Sequence, residues 1–282
     1  MQDRKKTESI NPWLQVIIFL AVYLLAFMAL ASVLPRAKTT DITDSLFIPI
    51  AASSVISITI VIFAMFVFKQ DSTPLGWTFI GQTRPAISGA CLGIFLITCG
   101  SLVLYAGKWL EWTATDAAIS DTIILALLLF VSAFSEELVF RGFILGRLLK
   151  KSSRLTGLIA SSAIFGLFHF NNPEISPIAM INIFLGGILL GITYSYTRNI
   201  WFGVMLHFSW NLLQGPIFGM PVSGLVLPSV ISSQLAGPEL ITGGKFGLEA
   251  SLVQGILLLL SCLGLWVLNA VENKPVATAE KI

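Results

Sequence analysis

Charge is scarce in this chain. Asp, Glu, Lys and Arg make up 11% of its 282 residues, whereas a soluble domain carries roughly 25%. That shortfall excludes an ordinary solvated globule, and a mean hydropathy of +0.86 places the chain in the membrane class. Basic and acidic residues nearly balance, 17 against 15, for a net charge of +2. Nucleic-acid partners are therefore not indicated. Cysteine is rare too: Cys91, Cys99 and Cys262 lie in apolar runs without CxxC spacing. Neither a disulfide framework nor a thiolate metal site is indicated. There is no HExxH, no internal repeat and no low-complexity tract, and histidine occurs twice, at His169 and His207.

Long apolar runs are what the chain has instead. A span needs about 20 mainly apolar residues, and candidate helices fall at 13–34, 46–68, 86–106, 121–149, 155–170, 178–197, 200–214 and 250–271. The expected fold is an all-α integral membrane protein, a polytopic bundle of about eight transmembrane helices. Its first apolar run, "WLQVIIFLAVYLLAFMALASVL", exceeds a typical signal-peptide core and reads as a retained span. With the N-terminus inside, inner segments hold Arg4, Lys5, Lys6, Lys69, Arg84, Arg147, Lys150, Lys151, Arg154, Arg198, Lys274 and Lys281. Outer segments hold Arg36, Lys38, Lys108 and Lys245. This inward excess of cations predicts cytoplasmic termini. No separate soluble domain is visible, so residues 1–282 read as a single membrane domain with a core at about 121–214. The Gly-, Pro- and Ser-rich stretch 215–249 carries apolar residues such as Val226 and Leu227, as a re-entrant or capping loop would. "GFILG" (142–146) and "GILLG" (187–191) allow close helix approach.

One stretch breaks the pattern. "EELVFR" (136–141) follows the run "IILALLLFVSA", and each charge at a helix centre costs about 2.5–3.5 kcal/mol on insertion scales. Glu137 and Arg141 are four apart, on one helix face, where an ion pair can form. Glu136 is rotated about 100° from Glu137 and shares its face with Phe140 and Phe143. The segment thus supplies one paired carboxylate and one free carboxylate in apolar surroundings, which suits a general base. An interfacial helix end with snorkelling side chains is the plainer alternative.

His169 closes "FGLFH" and His207 opens "HFSWN", both in apolar helices. His207 and Asn211 share a helix face, as do Phe165 and His169. Polar groups inside membrane helices usually face the bundle interior and mark function. The three segments can place a carboxylate, two imidazoles and a carboxamide around one polar intramembrane cavity. Such a set can activate water and stabilise an oxyanion.

These residues resemble a known family. "EELVFR" matches EExxxR, "FGLFH" matches FxxxH and "HFSWN" matches HxxxN of the CAAX protease and bacteriocin-processing (CPBP, or Abi) intramembrane proteases, in family order across 136–211. The resemblance implies an intramembrane endopeptidase, with a cavity open to water, acting on membrane-embedded or lipidated, CAAX-like proteins or peptides. It implies that Glu136 is the general base, that His169 helps to hold the water, and that His207 and Asn211 stabilise the oxyanion. Glu137 and Arg141 would brace the first motif helix, with Arg141 a candidate for contact with substrate, and Phe165 would pack the site. Removal of a C-terminal tripeptide from prenylated proteins, peptide processing and bacteriocin immunity all fit the resemblance.

Glu136, His169 and His207 also form a His₂Glu set like that of a catalytic zinc site. Without HExxH, and with Asn211 a poor zinc ligand, a metal-independent glutamate mechanism with no cofactor is the favoured expectation and zinc is the runner-up. A transporter would spread polar groups through several helices, and a non-catalytic immunity factor or scaffold would lack a motif residue; neither pattern is seen. The short loops favour a bacterial plasma membrane, and the sequence sets no oligomeric state.

Overall fold

A computed structural model describes residues 10–34, 46–68, 74–115 and 119–272. Long helices dominate: Pro12–Val33 (α1), Ile48–Val67 (α2) and Thr83–Ala106 (α3), then α4, which starts as Ile119–Glu137. Next come Arg154–Phe168 (α5), Pro177–Thr197 (α6), Trp201–Leu212 (α7) and Leu252–Glu272 (α8). Local chemistry fixes several ends. Asn11 accepts from the Trp13 amide ahead of Pro12, Ser153 caps the Thr156 amide, and Ser176 caps the Ala179 amide ahead of Pro177. A short polar side chain can satisfy an N-terminal amide that the helix leaves unpaired, and proline suits the first helical position. Helix α6 stops where Arg198 turns left-handed at φ 56°.

Among the described residues, six helical segments are long and apolar enough to cross a membrane: α1, α2, α3, Asp121–Leu148 of α4, α6 and Leu252–Val271 of α8. Sequence reading expected eight. The two that fall short are α5 and α7, of 15 and 12 residues. At about 1.5 Å per residue they reach only part of a hydrocarbon core of about 30 Å. Large apolar side chains such as Leu25, Phe66, Phe95, Leu127 and Leu260 are exposed on the long helices, as lipid-facing surfaces require. The chain is an all-α integral membrane protein with little sheet.

Among the described residues that sheet is one antiparallel pair, Leu110–Ala114 (β1) with Ile231–Leu235 (β2), in the register Leu110↔Leu235. It ties the end of α3 to the stretch 215–249, which makes a tight hairpin at 222–225. Close helix approach depends on missing side chains. A Cβ at Gly89 or Gly93 would strike the backbone of α7, one at Gly187 would press on Ser162 of α5, and one at Gly191 would meet Leu158. The small-residue patterns of 142–146 and 187–191 therefore sit at packed contacts, Gly142 against the Leu75 carbonyl.

Arg147, counted by charge as a loop cation, is only 1% exposed. Its Nε donates to Gln15 Oε1 at 2.9 Å, and its guanidinium lies 4.8 Å from the Phe143 ring centroid. Several charges that set the expected orientation, Arg4, Lys5, Lys6, Arg36, Lys38, Lys69, Lys274 and Lys281, lie outside the described residues, as do both termini.

Candidate active site

The first motif lies where α4 changes winding. After Glu137 the chain runs as a π-helix over Leu138–Leu145 and then as a short α turn over Gly146–Leu148. All eight π residues are buried. Widened turns of this kind re-aim side chains and occur often at functional sites. Helix α7 does the same just beyond its motif, with a π segment at Leu213–Ile217 that contains Pro216. Proline removes a backbone donor, so the chain turns away after presenting His207 and Asn211.

Glu137 is fully buried and accepts twice at one oxygen. Arg141 Nη1 donates to its Oε1 at 2.8 Å, and His207 Nδ1 lies 3.2 Å from the same atom. Arg141, 1% exposed, donates its second arm to the Gly187 carbonyl at 3.1 Å and lies 4.5 Å from the Phe165 ring centroid. One buried pair thus joins α4, α5, α6 and α7. The expected brace within the first motif is seen as an ion pair, and it also reaches His207, a contact that spacing along one helix could not reveal. With Nδ1 turned to a carboxylate, which only accepts when ionised, the His207 ring presents Nε2 on its other side.

Glu136 faces elsewhere. Ser132 Oγ donates to its Oε1 at 3.3 Å, its Oε2 sits 3.9 Å from His207 Nε2, and the side chain is 29% exposed. Phe140 lines the same cavity, whereas Phe143 packs away from it against Phe19. His169, at the C-cap of α5, donates Nδ1–H to the Phe165 carbonyl at 2.8 Å, which leaves Nε2 as an acceptor. The rings of Phe165 and His169 lie 4.5 Å apart by centroid.

Two cavities meet at this cluster. The larger, of about 270 Å³, is lined by Tyr23, Ser57, Ser132, Glu136 and Phe140. The smaller, of about 60 Å³, is lined by Phe165, Ile183, Leu190, Trp210 and Glu249. His169, His207, Asn211 and Ser223 border both. All seven residues named from sequence therefore fall within one cluster.

Residues 118–213 match the model of the Rce1-like family, described as type II CAAX prenyl endopeptidase Rce1-like. The motif-bearing segment is Rce1-like. This is the CAAX protease grouping that the three motifs resemble, and the matched stretch contains all of them. No curated protein matches the chain.

The Rce1-like segment does not make the whole cavity wall. Glu249, beyond it, accepts from Trp210 Nε1 at 3.1 Å and from the amide and hydroxyl of Ser223. Burial pushes its carboxyl above the ordinary carboxylate value because desolvation disfavours the charged form. Sequence reading passed over Glu249, which stands alone in a loop with no motif around it. Gly203 was missed as well. A Cβ there would lie 2.7 Å from Glu137 Oε2. Gly203→Ala should therefore displace Glu137 from His207, with an overpacking cost of about 1–3 kcal/mol. Thermal melting and a cleavage assay check this, and full activity in a stable Gly203→Ala protein would count against the Glu137–His207 contact.

Proposed function

We propose that the chain is an intramembrane endopeptidase of glutamic type. Its substrates would be membrane-embedded or lipidated, CAAX-like proteins or peptides. The observation that carries this reading is that Glu136, His169, His207 and Asn211 border one cavity while Glu137 orients His207. A water between Glu136 Oε2 and His207 Nε2 would span their 3.9 Å separation, as ordered waters commonly do. His169 Nε2 accepts from that water and Glu136 takes its proton as the oxygen attacks the scissile carbonyl carbon. The tetrahedral oxyanion then accepts from the Asn211 carboxamide and from His207 Nε2–H when the ring carries both protons. On collapse the C–N bond breaks and Glu136 returns the proton to the departing amine. Buried Arg141, committed to Glu137 and Gly187, acts as brace and not as a substrate contact.

In this reading the chain is one membrane unit whose eight helices surround the site, with α5 and α7 held among the longer ones. The inward excess of cations in the sequence supports cytoplasmic termini, and the short loops support a bacterial plasma membrane.

Zinc is the competing account. Nδ1 partners on both histidines would suit metal ligation through Nε2. Among the described residues, however, no three His, Cys, Asp or Glu side chains gather into a metal-holding group. This supports the metal-free reading, and no step is routed through a metal. Elemental analysis of active enzyme with a chelation and readdition assay tests this directly. Stoichiometric zinc whose removal stops cleavage and whose return restores it would overturn the glutamate mechanism.

For Asn211→Ala the expected result is a turnover rate lower by about 10²–10³-fold, as loss of one oxyanion donor typically brings. Binding should change little, since the ground-state carbonyl is a weaker acceptor. Asn211→Asp should be worse, because a carboxylate repels the developing charge. Single-turnover kinetics on purified protein would measure both, and an unimpaired Asn211→Ala enzyme would remove Asn211 from the oxyanion site.

A further inference from the structure

Outside the motif helices, the site is closed by a hairpin tip that one carboxylate holds in place. The tip is Val222–Leu225, whose end residues bridge each other. Its turn residues, Ser223 at φ 50° and Gly224 at φ 84°, are both left-handed. For serine this conformation is uncommon and costs energy, and it persists only where surrounding contacts impose it. Here the contacts converge. Ser223 donates both its amide and its hydroxyl to Glu249 Oε2, and its carbonyl accepts from Asn172 Nδ2 at 3.3 Å. Gly224 fits because a Cβ there would strike the Pro173 carbonyl, and its amide donates to the Phe246 carbonyl at 3.0 Å.

The tip is consequently wedged between Glu249 and the turn that follows His169, where the Asn172 amide donates to the His169 carbonyl at 3.0 Å. Glu249 Oε1 accepts from Trp210, the residue before Asn211 on α7. Asn182 Nδ2 fixes the backbone beneath, donating to the Glu249 and Ser251 carbonyls at 2.8 Å each. Both Glu249 oxygens are thus occupied by protein donors, so the side chain works through its neighbours.

We propose that Glu249 is a positioning residue of this site, strapping the 222–225 tip to α7 so that Ser223 and Trp210 form the wall beside His207 and Asn211. The proposal rests on the proteolytic reading above and assigns a role to a segment beyond the Rce1-like match. Without the carboxylate, Trp210 Nε1 and the Ser223 amide lose their acceptor. The strained tip is then free to relax, and the α7 face that carries His207 and Asn211 loses a fixed point. Small misplacements of catalytic groups can cost up to about a hundredfold in rate.

The test compares purified Glu249→Ala, Glu249→Gln and Glu136→Gln with the parent. It measures kcat and KM per folded molecule, thermal melting, and amide hydrogen exchange over residues 219–227. In Glu249→Ala, kcat should fall about ten- to a hundredfold with a smaller change in KM, and the tip amides should exchange faster. Glu249→Gln keeps one acceptor oxygen, so it should fall between Glu249→Ala and the parent in both readouts. It also serves if the alanine variant does not accumulate. A lower melting temperature with unchanged kcat per folded molecule would reduce Glu249 to ordinary structure and overturn the proposal, as would unchanged exchange at the tip. Normal turnover in both Glu249 variants beside a dead Glu136→Gln would overturn the strap alone. No cleavage by the parent itself would overturn the proteolytic reading, and this proposal with it, whereas cleavage surviving in Glu136→Gln would remove Glu136 as the base.

Discussion

Glu136→Gln will abolish cleavage while the protein accumulates and melts as the parent does. Shape is preserved: the carboxamide oxygen can still accept from Ser132 Oγ, the donor that now reaches Glu136 at 3.3 Å. What disappears is the ability to take a proton from water, and positioned acid–base groups typically contribute about 10²–10⁴-fold. The stability cost should be small because Glu136 is 29% exposed at the side chain and lies outside the ion pair. That separates it from its neighbour. Glu137→Gln would weaken the hold on both Arg141 and His207, so it should lose stability together with rate. Cleavage of a membrane-anchored reporter by purified protein, with a melt on the same preparation, measures the contrast. If Glu136→Gln kept most of its rate, the base would have to be sought elsewhere in the cavity.

How far the sequence reached depends on the kind of information. Helix positions were legible because hydropathy is local: the segments read at 13–34, 178–197 and 250–271 appear as Pro12–Val33, Pro177–Thr197 and Leu252–Glu272. Whether a segment spans was less legible, since α5 and α7 are apolar but short and depend on neighbours for burial. The Glu137–Arg141 pair followed from four-residue spacing. Beyond Glu137 that regularity weakens, because the π-helix at Leu138–Leu145 does not follow the 3.6-residue period assumed in reading faces. The gathering of the three motifs around one cavity was legible in outline, but the particular contacts between distant segments were not. The Glu137–His207 contact joins residues 70 apart, and the Glu249–Ser223 contact joins loop residues that carry no periodic pattern. The same holds for β1 and β2, whose pairing of Leu110 with Leu235 arises from two stretches that read as connections. Side-chain patterns announce elements, and site closure here depends on tertiary pairing.

Arg141→Ala should be the most disruptive single change to stability. The pair it breaks is buried on both sides, at 2% and 0% side-chain exposure, and Glu137 would be left charged with only His207 Nδ1 beside it. Removing one partner of a buried pair typically costs about 3–5 kcal/mol, mostly because an uncompensated charge remains. Loss of the guanidinium also empties the space over Phe165 and takes a donor from the Gly187 carbonyl. Yield and melting temperature should both drop, with activity falling at least as far. The source of that cost predicts its remedy. Replacing Glu137 and Arg141 together by apolar residues of similar volume removes the stranded charge, and swaps of this kind are often neutral or stabilising. The double variant should thus recover part of the lost stability. It should not recover cleavage, because His207 would have no carboxylate to orient it. Expression yield, thermal melts and reporter cleavage across the parent, single and double variants separate the two roles of Glu137. A fully stable, well-expressed Arg141→Ala protein would show that the pair does not brace the bundle.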